Sequence, residues 1–147
     1  MRQVADRQLW IGHAGDLNDP RGILNLGIQA VIELADNEPL ASLPRDLIRC
    51  RFPIADGDEE RLWLLRMAAD TIAILLREGV PALVCCSYGV SRSVCIAAAG
   101  LSIADGTPLN DSLSTVVGAG PADVSPALFA SLQRSLNVGA RSASKDD

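Results

Sequence analysis

The sequence predicts an α/β fold, a central and mostly parallel twisted sheet of four to five strands covered by helices on both faces. Two observations predict it. Short apolar runs at 8–12, 30–35, 47–53 and 82–85 alternate with segments of helical period, the order that strand–helix–strand units produce. Hydrophobic residues make up 48% of 147, enough for one core, so a single domain is expected over 1–137 with a flexible tail over 138–147.

Residues 8–12 read as a first strand, followed by a turn through Gly15 to Asn18. Pro20 can start a helix that Gly27 stops. After the strand at 30–35, two prolines within 36–44 mark a loop. The third strand, 47–53, alternates apolar and charged residues, as a strand with one wetter face does. The longest helix is expected over 59–78, with Leu62, Leu65, Ala69, Ile72, Ala73 and Leu76 on its inner face and Trp63 and Met67 in the core or at its margin. Asp58 is expected to cap it, with Glu59 and Glu60 in its first turn. Helices at 93–104, 108–117 and 126–136 follow the last strand.

Net charge of -5 with scattered arginines argues against nucleic acid and anionic membranes as partners. No run approaches ~18 apolar residues and the first 25 residues lack a signal-peptide core, so a soluble, cytoplasmic protein is expected. Four cysteines without regular spacing read as reduced thiols, neither a disulfide framework nor a metal site. No metal or cofactor is expected.

The chemistry concentrates between the last strand and the helix after it, in Cys86-Ser87-Tyr88-Gly89-Val90-Ser91-Arg92-Ser93. Five residues between Cys86 and Arg92 are enough to curl the backbone into a ring of N–H groups above a helix start, an anion site. A thiol at its base is pushed toward thiolate, which makes Cys86 a candidate nucleophile. Arg92 supplies a planar fork of donors suited to two phosphate oxygens. The bare Cys-x5-Arg spacing is weak evidence, and its context strengthens it: a strand leading in, a helix leading out, Gly89 at the tight part, hydroxyls beside the arginine.

Together these residues resemble the signature loop of the cysteine-dependent protein phosphatases, and the Ser-Arg-Ser ending is most similar to the dual-specificity phosphatases. The resemblance spans roughly residues 9–136. It implies Cys86 as nucleophile, the N–H groups of Ser87, Tyr88, Gly89, Val90, Ser91 and Arg92 with the Arg92 side chain as phosphate holders, and the Ser93 hydroxyl as support for the leaving thiolate. Phe52-Pro53-Ile54-Ala55-Asp56 resembles the family's general-acid loop, which implies Asp56 as the proton donor. A phosphorylated protein or peptide substrate and a monomer are the corresponding expectations.

The likeness breaks immediately before the nucleophile, where the family has a His that helps hold the thiol ionised and this chain has Cys85. The one histidine, His13, lies in an early turn and reads as structural. The family's Arg-rich segment and the Asn before 125–129 are missing as well. A phosphopeptide-binding pseudophosphatase, a rhodanese-type sulfurtransferase and a phosphatase of RNA 5'-phosphates or sugar phosphates stay open as alternatives. As a resolving thiol for an oxidised Cys86, Cys50 ranks first, on a strand expected beside that of Cys86; Cys95 follows, and adjacent Cys85 comes last.

Overall fold

The computed structural model describes the backbone of residues 1–145 and the side chains of residues 1–138. One sheet has the strand order β1-β2-β5-β3-β4, formed by β1 (Arg2–Gln3), β2 (Leu9–His13), β3 (Ala30–Glu33), β4 (Ile48–Arg51) and β5 (Ala82–Cys86). β2, β5, β3 and β4 run parallel, and β1 is antiparallel to β2. The parallel strands place all their carboxyl ends on one edge, where such sheets build their sites.

Helices cover both faces, as the alternation of the strands requires. On one side, Val31, Leu83 and Cys85 pack with Leu17 and Ile23 from the 3-10 turn Ala14–Asn18 and helix α1 (Pro20–Asn25). On the other, Ala30, Ile32, Val84 and Cys86 meet α2 (Leu62–Arg77), α3 (Arg92–Asp105), α4 (Leu109–Val117) and α5 (Pro126–Lys145). Successive side chains of β5 thus enter different cores, and the adjacent cysteines 85 and 86 are separated by the sheet. Among the described residues, no helix is long and apolar enough to cross a membrane.

The acidic segment before α2 departs from expectation. The helix begins at Leu62 rather than at 59, because Asp58 and Glu59 are engaged elsewhere. The Glu59 N–H donates to Ser131 Oγ at 3.1 Å, and that hydroxyl donates to Asp58 Oδ1 at 2.9 Å. Arg61 Nε donates to Glu59 Oε1 at 2.6 Å and holds this buried carboxyl below the usual glutamate range. Asp58 and Glu59 therefore tie the loop after β4 to α5 instead of serving α2. Trp63 and Met67 lie outside the core, at 62% and 50% exposure.

Two further elements differ. β1 is too short to show a period and exists through its pairing of Arg2 with Ile11 and Gln3 with Trp10. α5 is described through Lys145, past the domain boundary expected at 137. Residues 146 and 147 of that expected tail lie outside the described residues.

α3 lies close to α2 because its buried side is built from small residues, Ala97, Ala98, Ala99 and Gly100. Gly100 sits at the tightest point: a Cβ there would collide with Ile72 Cγ2 and stand 2.6 Å from Ile72 Cβ. Gly100→Ala is expected to destabilise the fold by about 1–3 kcal/mol, overpacking outweighing the ~1 kcal/mol gain in helix propensity. Urea unfolding of the two proteins checks the sign; equal or greater stability of the variant would show that the helices separate at no cost.

Candidate active site

β5 ends at Cys86 and α3 begins at Arg92, so the loop between them spans the edge where the parallel strands terminate. Gly89 makes its curvature possible. Its φ is +75°, and a Cβ on it would stand 2.7 Å from the carbonyl oxygen of Gly12 at the end of β2. Only glycine combines that dihedral with that backbone approach. Cys86 Sγ, at 3% exposure, accepts from the Gly89 N–H at 3.3 Å and the Ser93 N–H at 3.4 Å, and lies 3.2 Å from Ser93 Oγ. The sulfur is thus the collecting point of donors from the loop and from the first turn of α3.

Outward-facing carbonyls shape the rest of the ring. Gly89 O accepts from Arg2 Nη2 at 2.8 Å, Val90 O from the Asp123 N–H at 2.8 Å, and Ser91 O from the Cys95 N–H at 2.9 Å. The peptide bonds of this loop are trans, so each carbonyl fixes the next N–H in the opposite direction. Val90, Ser91 and Arg92 thereby present their N–H groups away from those three holds. The Tyr88 side chain stands in solvent at 83% exposure.

Arg92 is buried and held on one side. Nη1 donates to Asp36 Oδ1 and to Ile54 O, both at 2.9 Å, and Nη2 donates to Ser87 Oγ at 3.0 Å. A guanidinium has five N–H donors, so Nε–H and one hydrogen of Nη2 are left for a ligand. Ser87 Oγ in turn donates to Asn37 Oδ1 at 3.4 Å. Asp56 reaches the same loop from the segment after β4, accepting from Ser91 Oγ at 2.6 Å. Ser91 Oγ also accepts from the Ser125 N–H at 3.0 Å.

Cys86, Arg92, Ser93 and Asp56 are therefore brought together around one loop. Sequence reasoning missed Asp36, Asn37 and Arg2, which reach it from outside the motif. His13 caps the 3-10 turn, its Nδ1 accepting from the Gly15 N–H at 3.1 Å.

The ranking of the other thiols needs correction. β3 lies between β4 and β5, and Cys50 pairs with Ile32, which pairs with Val84. At ~4.8 Å per strand, Cys50 is roughly 10 Å from Val84 and farther from Cys86, beyond the ~7 Å between Cα atoms that a disulfide spans. Cys85 faces the opposite core, where burial, reinforced by Glu33, pushes its thiol well up. Cys95, on the side of Cys86, is fully buried and pushed up to about 12, chiefly by burial.

No family model matches the sequence, and no curated protein matches it. Solved structures do. Human DUSP28 superposes with a TM-score of 0.83 at 24% identity, covering 96% of this chain and 99% of its own. The mouse "putative dual specificity phosphatase complexed with zinc tungstate" gives 0.82 at 26% identity over 96% of this chain and 89% of that one. The human tyrosine phosphatase-like serine/threonine/tyrosine-interacting protein gives 0.79 at 18% over 95% and 97%.

Because Gly89 fixes the ring, Gly89→Ala is expected to weaken vanadate binding by more than ~10-fold while leaving the far-ultraviolet spectrum unchanged. Titration calorimetry checks it. Wild-type affinity in the variant would show that the ring does not depend on this glycine.

Proposed function

We propose that this chain, which has the dual-specificity phosphatase fold, hydrolyses phosphotyrosine, phosphoserine or phosphothreonine through a cysteinyl-phosphate. The observation that carries the reading is Cys86 Sγ at the meeting point of the loop N–H groups, flanked by an Arg92 fork with free donors.

The phosphoryl group enters with its non-bridging oxygens toward the N–H ring and toward Nε and Nη2 of Arg92. Cys86 thiolate attacks phosphorus, the S–P bond forms, and the P–O bond to the alcohol breaks. The Asp56 carboxylic acid gives its proton to the leaving oxygen. Water then attacks phosphorus, Asp56 carboxylate takes the proton, and the S–P bond breaks to return thiolate and release inorganic phosphate. Ser93 Oγ, 3.2 Å from the sulfur, donates to it as its charge returns. Negative charge spreads over the equatorial oxygens throughout, and the fixed N–H groups and guanidinium meet it without reorganising.

None of the positions between Cys86 and Arg92 is basic, which favours a substrate carrying one phosphoryl group over a polyphosphorylated one. Ser91 holds Asp56 against the loop, so acid and nucleophile share one frame.

Turnover of p-nitrophenyl phosphate and phosphopeptides by the wild type, abolished in Cys86→Ser with vanadate binding retained, is the expected result. More than a tenth of wild-type rate in that variant would overturn the nucleophile. Vanadate binding without turnover in the wild type would assign the chain to phosphopeptide binding instead. Asp56→Asn is expected to lower kcat by ~10²–10⁴ on phosphopeptides and far less on p-nitrophenyl phosphate, whose leaving group hardly needs a proton. Equal losses on both would remove Asp56 from the role of acid.

A further inference from the structure

Arg2 lies 84 positions from Cys86 in the chain, yet its guanidinium sits against the outside of the same loop. Both hydrogens of Nη2 are used, one on Gly89 O at 2.8 Å and one on Pro121 O at 2.7 Å. Nε is buried with no partner among the described residues, a costly place for a donor unless the group is required there. The stem lies over Gly120. A Cβ at that position would collide with Arg2 Cδ and come within 2.6 Å of Nε, so the 118–121 turn leaves a slot with the shape of this side chain.

We propose that Arg2 is a positioning residue of the anion site: by holding Gly89 O outward it aims the Val90 N–H at the bound oxyanion, and its charge adds to the field there. The inference rests on the phosphatase reading of the loop. The amide between Gly89 and Val90 is trans and planar, so releasing the carbonyl frees the N–H to turn away. No other described group donates to Gly89 O. Burial pushes the Arg2 guanidinium down from the ordinary arginine range, and the charge of Cys86 draws it back up, which places the two groups in one electrostatic neighbourhood. Arg92 is paired with Asp36, whereas Arg2 forms no ion pair with a carboxylate among the described residues, so its positive charge is not spent on a direct partner.

Two alkylating agents of the Cys86 thiol separate this role from a merely structural one. Iodoacetate is an anion and uses the oxyanion site, whereas iodoacetamide is neutral and does not. Arg2→Met is expected to lower the iodoacetate-to-iodoacetamide rate ratio at Cys86 by about 10-fold, to weaken vanadate binding comparably, and to leave the melting temperature within a few degrees. Gly120→Ala, which displaces Arg2 without replacing it, is expected to move the ratio the same way. Arg2→Lys keeps the charge with one point donor and is expected to recover part of it. An unchanged ratio in both Arg2→Met and Gly120→Ala would overturn the proposal. Because alkylation needs no turnover, a wild type that alkylates with a high ratio but hydrolyses no phosphoester would sink the phosphatase reading and leave Arg2 in place.

Discussion

A planar trans amide cannot turn its N–H without turning the carbonyl of the residue before it, and this constraint governs the whole site. To point consecutive N–H groups at one centre, the loop must turn consecutive carbonyls outward, and each buried carbonyl needs a donor. The donors come from β1 through Arg2, from the turn before α5 through the Asp123 N–H, and from α3 through the Cys95 N–H. Gly12 at the end of β2 closes the other side against Gly89. The loop is therefore a product of the folded domain, assembled from parts spread over most of the chain.

The same distinction between local and long-range structure decides what could be read in the sequence. Four strands and the α3 start were legible, because each is announced by its own period and by adjacent turn residues. That Cys86, Arg92, Ser93 and Asp56 gather around one loop was legible because the motif and the loop after a strand are local patterns. Strand order is not local. Nothing in residues 30–51 says that β3 rather than β4 lies beside β5, and the expected proximity of Cys50 to Cys86 failed for that reason. Arg2, Asp36 and Asn37 escaped notice for the same cause. A charge pattern near the N-terminus or after a strand reads as solvated surface until the contact that uses it is known. The acidic run 58–60 misled in a related way, since its caplike composition is spent on Ser131 and Arg61.

Position 85 shows how sheet geometry limits what a substitution can do. The side chain at 85 points to the core opposite Cys86, beside Glu33, whose buried carboxylate is matched by Arg49 through contacts of 2.6 and 3.0 Å. The pairing register sets Glu33 directly against Cys85. A thiol in this place is neutral, because burial and the neighbouring carboxylate both oppose its ionisation. It donates to Ile32 O at 3.7 Å and otherwise fills space. Positive charge for the Cys86 sulfur must then reach it from the loop side, where Arg92 and Arg2 stand.

Those two arginines divide the work by how they are held. Arg92 has its Nη1 donors fixed by a carboxylate and a carbonyl, so its planar fork is locked in orientation and little rotamer freedom remains to be lost on binding. Asp36 offsets its charge, which lets the group sit at 7% exposure without being an uncompensated buried cation. What Arg92 contributes is direction more than net charge. Arg2 has the opposite character, bound only to neutral carbonyls and so retaining its full charge, but placed behind the backbone where it cannot touch an oxyanion directly. On the proposed reading, a phosphoryl group at this loop meets direction from Arg92 and field from Arg2.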